Sequence, residues 1–519
     1  MGRPCVYEPR RGVVHPLPVR RRRQTLFTAL QYLGLILMVT SLPFTASGLV
    51  GLLLWSGRSM AEFRVASELL ASGVVLVLVG LLLSRAPGGL LGKGDAVFIT
   101  VATWLSVPLF SAALMSEILD IPYVDALLET VAGWTTTGLS ILTGAESSSG
   151  GYVPSVDEIP ESVKLWRSML QWVGGVGIVV FTVAFLARPG ISAAALYIAE
   201  GRFERLEASL KASAIRMTLV YMVYTLLGAL IIYLSGMSLS DAIQHSMTAI
   251  STAGFSTHAD SVGFYKGDYA VYASTLLVSF LGALSFVDLD NIMRLRLGRV
   301  LRSVEFRVIA GLTALSAAAA AAVWYIDPVM RSSYTLADTI YNSVSGYITV
   351  GFSTASLEGA SDSYKLLIAA LGLIGGSAFS TAGGIKVLRL AIALKTLDVE
   401  TTRILKPSSY VPKNLIGGRR LTEDMVKRSL AVIIAFATVE ILLGLTAVAL
   451  YSDIYPTVDI IFDVTSALAN IGLSTGVTSP EAPTGLKVIL IAGMLLGRLE
   501  ILPYIVAAKY LVESVRART

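Results

Sequence analysis

The sequence predicts an all-α integral membrane protein: four span–pore-loop–span repeats around a pseudo-fourfold pore, plus two extra N-terminal transmembrane helices. Three observations carry the prediction. Mean hydropathy is +0.70 and only 15% of residues are charged, against about a quarter in soluble domains, so the chain cannot cover its surface with charge. Apolar stretches of about 20 residues, long enough to cross a bilayer, recur throughout. Four times, an aspartate is followed thirteen positions later by glycine, then by Leu or Phe, then by serine.

Taken in order, spans are predicted near 25–47, 61–84, 94–117, 164–186, 214–236, 269–291, 306–327, 362–394, 424–451 and 483–512. They divide the chain into a basic tail (1–24), a two-helix unit (25–92) and pore repeats at 93–190, 191–297, 298–412 and 413–519. The first span lacks a small-residue cleavage site and is read as a membrane helix rather than a signal peptide. Lys and Arg set the orientation. The tail holds Arg10, Arg11 and Arg20 to Arg23. Every second connection is also basic: Arg85 with Lys93, Arg188 to Arg216, Arg294 to Arg307, and Lys386 to Arg428. Both termini are therefore expected in the cytoplasm of a multi-pass plasma-membrane protein. The basic runs are read as anchors against anionic lipid, not as a nucleic-acid surface. Single Cys5 rules out a disulfide within the chain and supplies no metal cluster.

The four repeat anchors are Asp125 with Gly138-Leu139-Ser140, Asp241 with Gly254-Phe255-Ser256, Asp338 with Gly351-Phe352-Ser353, and Asp459 with Gly472-Leu473-Ser474. The eighth residue after each Asp is small (Gly133, Ala249, Gly346, Ala467), and the ninth is large and apolar (Trp134, Ile250, Tyr347, Leu468). A fourfold internal repeat points to four equivalent parts around one axis. Each segment is too short to cross, so it should dip into the membrane and return. Ser238 and Thr335 provide cap-like helix starts, and Pro122 and Pro456 take the same offset in the other copies. Each short helix then stops before its glycine, with the negative end of its dipole toward the membrane centre.

The candidate filter segments read Thr136-Thr137-Gly138, Thr252-Ala253-Gly254, Thr349-Val350-Gly351 and Asn470-Ile471-Gly472. Non-helical backbone at this depth is tolerated only when it is buried in protein or lines a watery cavity. Around an axis these strands would present rings of carbonyl oxygens that replace the water shell of a potassium ion. Potassium at those carbonyls is the transported ion, and no bound cofactor is expected. The bland alternative has four re-entrant helices packed for structure, with glycine as an ordinary C-cap. It explains the glycines but not the shared length and flanks.

Here the residues resemble the Trk/Ktr/HKT superfamily of potassium transporters, in its TrkH-like branch, over nearly everything from residue 25 onward. Three motifs add to the filters. Leu165-Trp166-Arg167-Ser168 through Gln171-Trp172-Val173-Gly174-Gly175 looks like the start of the second helix of repeat one. Gly375-Gly376-Ser377 through Thr381-Ala382-Gly383-Gly384-Ile385-Lys386-Val387 looks like the broken helix of repeat three. Leu496-Gly497-Arg498-Leu499-Glu500 looks like the final helix. Asp288 and Asp290 depart from the uncharged or histidine-containing sequence usual in that branch. The resemblance implies a gating loop at Gly375, Gly376, Gly383, Gly384 and Lys386, and an Arg498 charge in the permeation path. It also implies a homodimer and a cytosolic TrkA-like nucleotide-binding subunit docked on the basic loops.

Read on their own chemistry, these residues keep alternatives open. Gly375 to Gly384 is a poor helix, each Gly costing about 1 kcal/mol relative to Ala, and is either an intramembrane loop or close packing through small residues. Arg498 near the centre of its span must face protein or water, in the pore or paired with Glu500. Asp288 and Asp290 either neutralise nearby arginines or bind a coupling ion. Glu129 either holds the filter or favours its helix N-terminus. His245 and His258 lack a partner at ligand spacing. Three functions compete: potassium transport down its gradient, a proton- or sodium-coupled symporter, and a membrane enzyme. The repeats all run in one direction, against the inverted pattern usual for coupled carriers. No second acidic motif joins Asp288-Leu289-Asp290-Asn291 to make an enzyme site, and none is expected.

Overall fold

The computed structural model describes residues 19–54, 59–87, 93–178, 180, 209–407, 415–417 and 419–516. Cys5, Arg10, Arg11 and much of the Arg188–Arg216 connection lie outside them. The chain is predominantly helical. Two short antiparallel hairpins interrupt it: Thr143–Glu146 pairs with Tyr152–Ser155, and Leu415–Ile416 with Arg419–Arg420.

Four short helices of equal length anchor the architecture: Tyr123–Trp134, Leu239–Ile250, Leu336–Tyr347 and Thr457–Leu468, twelve residues each. Ser238 and Thr335 cap theirs by accepting from the amides of Asp241 and Asp338, as their spacing predicts. Pro122 and Pro456 start the other two at the N-cap itself. In each repeat an outer helix packs on its own short helix: Lys93–Leu119, Leu210–Leu234, Val304–Ile326 and Glu423–Tyr451. The returning helices start at Glu161, Tyr269, Asp362 and Thr484, and each packs against the short helix of the following repeat. The fourth returns onto the first, so the ring closes.

Among the described residues, six helices are long and apolar enough to cross a membrane, and two further bent pairs pass the same test together. Two of the predicted continuous spans are therefore bent. Span 269–291 is two helices, Tyr269–Ala283 and Phe286–Met293, at 114°. Span 483–512 breaks after Arg498, with Leu502–Glu513 turned by 95°. Ser285 caps the second helix in the first case by accepting from Asp288 N. In the second, Glu500 and Ile501 adopt left-handed backbone (φ 59° and 66°). Repeat three separates into Asp362–Gly372 and Val387–Leu405 around the glycine-rich stretch.

The breaks follow a packing need. Gly174, Gly282 and Gly497 press against the last carbonyls of their own short helices: a Cβ would lie 2.2 Å from Trp134 O, 2.5 Å from Ile250 O and 1.9 Å from Leu468 O. Gly372 does the same for Gly346 O at 3.1 Å. At the amino terminus, Val19–Thr40 and Leu42–Leu54 are separate helices on either side of Ser41, because Pro43 cannot continue the hydrogen-bond ladder. Both pack on Met60–Ser84 through close glycine contacts at Gly34, Gly48, Gly73 and Gly80.

Candidate functional site

Each short helix ends in the same backbone sequence of conformations. Thr136, Thr252, Thr349 and Asn470 take left-handed φ of 57°, 49°, 52° and 52°, and Gly138, Gly254, Gly351 and Gly472 take 84°, 77°, 87° and 90°. The residue between them is tied back to its short helix: Thr137 N to Ala132 O (3.0 Å), Ala253 N to Thr248 O (2.9 Å), Val350 N to Ser345 O (3.0 Å) and Ile471 N to Ser466 O (2.8 Å). A left-handed threonine is strained and persists only where its surroundings over-determine it.

The four glycines face one another's chains in strict rotation. A Cβ on Gly138 would stand 2.0 Å from Ala253 O, on Gly254 2.0 Å from Val350 O, on Gly351 2.8 Å from Ile471 O, and on Gly472 2.1 Å from Thr137 O. The four glycines and the residues that precede them thus form one closed ring. Its spacing leaves no room for any side chain at the four glycines.

What holds the ring is a set of polar residues four positions after each repeat aspartate. Buried Glu129 accepts from Ile141 N (2.8 Å), Ser140 Oγ (3.1 Å) and the buried Arg167 guanidinium (2.7 Å). His245 Nε2 hydrogen-bonds Ser256 Oγ at 3.0 Å. Asn342 accepts from Thr354 N (2.9 Å) and donates to Ala355 O (2.9 Å). Asp463 accepts from Ser474 Oγ (2.7 Å), Thr475 N (2.9 Å) and Thr478 N (2.8 Å). Glu129 therefore secures the segment that follows its glycine, which decides the alternative left open by sequence. The other three were missed because Glu, His, Asn and Asp share no single chemistry; only their common offset would have found them. Arg167 also donates to Ser256 O (3.1 Å) and lies over the Phe255 ring at 4.1 Å. Gln171 clasps repeat two, donating to Ala253 O (2.8 Å) and accepting from Phe255 N (3.0 Å).

The repeat aspartates themselves sit at the mouth, the end that carries the short-helix N-termini. Lys487 from repeat four pairs with Asp125 of repeat one at 2.5 Å, both side chains fully buried. Lys365 from repeat three pairs with Asp459 of repeat four at 2.6 Å. Tyr272 takes the corresponding place opposite Asp338. At the remaining seam Lys164 pairs with Glu161 instead. There Asp241 accepts from Thr257 (2.6 Å), Ser238 (2.7 Å) and Tyr265 (2.8 Å), with His258 at 3.6 Å.

Beneath the ring lies the stretch 373–386. It is a loop and not a packed helix. Its neck is pinched by Gly375 N to Ile385 O (3.0 Å) and Ile385 N to Leu373 O (2.9 Å). Thr381 donates to Ile250 O (3.0 Å) and Gly282 O (2.9 Å) and receives from Thr252 Oγ1 (3.1 Å). Gly383 N donates to Thr349 Oγ1 at 2.8 Å. Gly375 and Gly384 pack against each other across the neck, Gly376 lies against Ala283 O, and Lys386 Nζ donates back to Ala382 O. Arg498 donates to Thr136 Oγ1 (3.0 Å), Thr381 O (3.2 Å) and the carbonyls of Gly174 and Gly175. The left-handed residues of repeats one, two and three thus each meet either the loop or Arg498. Glu500 is engaged by Arg389. Asp290 pairs with Arg216 (2.7 Å) and Arg294 (2.8 Å), while Asp288, in the first turn of the helix that Ser285 caps, accepts from Ser285 (2.9 Å) and Ser303 (3.1 Å). Among the described residues no cluster of three or more His, Cys, Asp or Glu could hold a metal.

A ring of four re-entrant helices, closed on itself and carried by apolar spanning helices, defines a multi-pass membrane protein of the pore-loop class. The profile of the TrkH cation transport proteins matches residues 74–314 and 325–517, and the chain belongs to that family. It is 30% identical over 487 residues to the Trk system potassium uptake protein TrkH of Salmonella typhimurium, covering 91% of this chain and 96% of that one. It is 31% identical over 440 residues to an uncharacterised cation transporter of Methanocaldococcus jannaschii, covering 84% and 87%. The crystal structure of the potassium transporter TrkH from Vibrio parahaemolyticus superposes with a TM-score of 0.74 at 25% identity, covering 92% of this chain and 98% of the other.

Proposed function

We propose that this protein carries potassium across the cell membrane, down its electrochemical gradient, through the ring formed by residues 136–138, 252–254, 349–351 and 470–472. The observation that carries this reading is the closed rotation of glycines against neighbouring carbonyls. It packs four identically kinked strands around one axis, the arrangement in which carbonyl oxygens can substitute for an ion's hydration shell. The loop at 375–384 and the Arg498 guanidinium act together as the gate beneath. The loop fills the space below the strands, and a fixed positive charge there opposes a passing cation. Relatives named as potassium uptake proteins support the choice of ion.

The coupled-symporter reading would use Asp288, Asp290 or Glu500 as a proton or sodium site. Their engagement with Ser285, Ser303, Arg216, Arg294 and Arg389 favours structural roles. The wider reading places both termini in the cytoplasm, pairs the chain with a second copy, and docks a TrkA-like nucleotide-binding subunit on the basic loops. Flux of potassium, rubidium and sodium into proteoliposomes tests the core of it. Uptake driven by the potassium or rubidium gradient alone, with selectivity altered by Gly254→Ser, supports the pore. A strict requirement for a second ion gradient would replace it with the symporter.

A further inference from the structure

The gate loop is held by more than the ring above it. Its tip, Ser377 to Phe379, is gripped by the broken helix of repeat two and by the outer helix of its own repeat. From the broken helix of repeat two, Ala283 O accepts from Ser377 N (3.1 Å) and Phe286 N donates to Phe379 O (2.8 Å). From the first turn of Val304–Ile326, Glu305 spends both carboxylate oxygens on the tip: Oε2 accepts from Ser377 Oγ (2.5 Å) and Oε1 from Ala378 N (2.9 Å). Two residues earlier, Ser303 caps that same helix and donates to Asp288 Oδ2 (3.1 Å), which in turn accepts from Ser285 at the break. Ser303 and Glu305 directly follow the arginine-bearing connection Arg294 to Arg302, whose side chains are largely exposed.

We propose that Glu305 is a positioning residue that latches the gate loop shut, and that the connection 294–303 is the handle by which the latch is moved. This rests on the reading of 375–384 as the gate. A carboxylate accepting two hydrogen bonds from one short segment is a strong, directional tie, because bonds to a charged acceptor are about twice as strong as neutral ones. It joins the loop under the ring to the first turn of the helix Val304–Ile326. Displacing residues 294–303 moves Ser303 and Glu305 together, because Asp288 and the tip are held from the same turn. Asp288, the departure noted in the sequence, serves here as the second arm of the latch. Gln at position 305 would present an NH2 to one of two donors and lose half of the grip.

Two measurements on the full-length protein test this, one independent of transport. Hydrogen exchange at the Ala378 amide reads the latch. Protection is expected in the wild type and should fall by roughly tenfold in Glu305→Gln and Ser377→Ala, the scale of a lost charge-assisted hydrogen bond. Rubidium flux in proteoliposomes reads the gate. It should rise in both variants with the rubidium-to-sodium ratio unchanged, and the double variant should add little to either single one. Unchanged exchange in both monodisperse variants would overturn the latch, whether or not the wild type conducts. Lost protection with wild-type flux, or raised flux with lost selectivity, would overturn its role in gating. Wild-type vesicles without any flux would instead count against the potassium pore, leaving the exchange result to decide the latch.

Discussion

At the scale of single residues, the four struts under the serines of the repeat show how unlike side chains do one job. Glu129, His245, Asn342 and Asp463 all reach the segment after the glycine from the same turn of helix. The Glu129–Arg167 pair is costly to disturb, being wholly buried. Arg167→Ala should destabilise the protein by about 3–5 kcal/mol, since it strands a buried carboxylate, and a melt in detergent would register it. Asp241 makes a separate prediction. It lies at the mouth, where burial raises its proton affinity but the nearby His258 and hydrogen bonds from Thr257, Ser238 and Tyr265 more than offset this and hold the carboxyl well below the usual range. A depressed carboxylate stabilises the fold above its unfolded value, near 3.8, and that stability fades as pH falls toward the folded value. Asp241→Asn should therefore be less stable than wild type near neutral pH and lose the difference in acid. A constant difference at every pH would contradict this. The sequence offered the aspartates and glycines because their offset is fixed. It hid the struts because an acceptor can be supplied by a carboxylate, an amide or an imidazole.

At the scale of elements, the returning helices are the informative ones. Hydropathy saw them as continuous spans, and it was right about their composition. It could not see that residues 283–286 and 499–501 change direction, because the cause is local: close glycine contacts with carbonyls of the short helices, then a serine cap or a left-handed pair. Only repeat three advertised its break, through consecutive small residues too poor for a helix. Gly383 packs closely beneath the ring, and a Cβ there would stand 2.2 Å from Ala469 O. Gly383→Ala should hold the loop off the ring and raise rubidium flux. A flux equal to wild type in a folded variant would show that the loop does not limit passage. Arg498→Ala should act in the same direction, by removing the charge and the ties to Thr136 and Thr381.

At the scale of the molecule, stability depends on seams between repeats. Two of them are stitched by buried lysine–aspartate pairs, Lys487–Asp125 and Lys365–Asp459. The first of these joins the last repeat to the first and thereby closes the ring. Lys487→Met alone should cost about 3–5 kcal/mol, whereas Asp125→Asn with Lys487→Met should recover much of the loss, because an isolated buried charge is worse than no charge. Additive effects in thermal unfolding would argue that the two do not form a pair. The lysines are visible in the sequence only as residues flanking spans. Their partners lie more than ninety positions away, and nothing local announces which aspartate each one meets. Fourfold closure was legible from the repeat; the direction of its rotation was not.

Concatenation of four unequal quadrants in one polypeptide has an electrostatic consequence. A pore assembled from four copies of one chain would place four guanidinium groups beneath the ring wherever it placed one, and like charges so close in low dielectric repel strongly. Here the position carries one arginine, contributed by the final quadrant alone, and it is held from the side by carbonyl dipoles of the first and third quadrants. Duplication within a single gene therefore permits a singular charge on a near-symmetric axis. Each quadrant can then be altered separately, one to obstruct, another to charge, a third to brace, without fourfold repetition of the change.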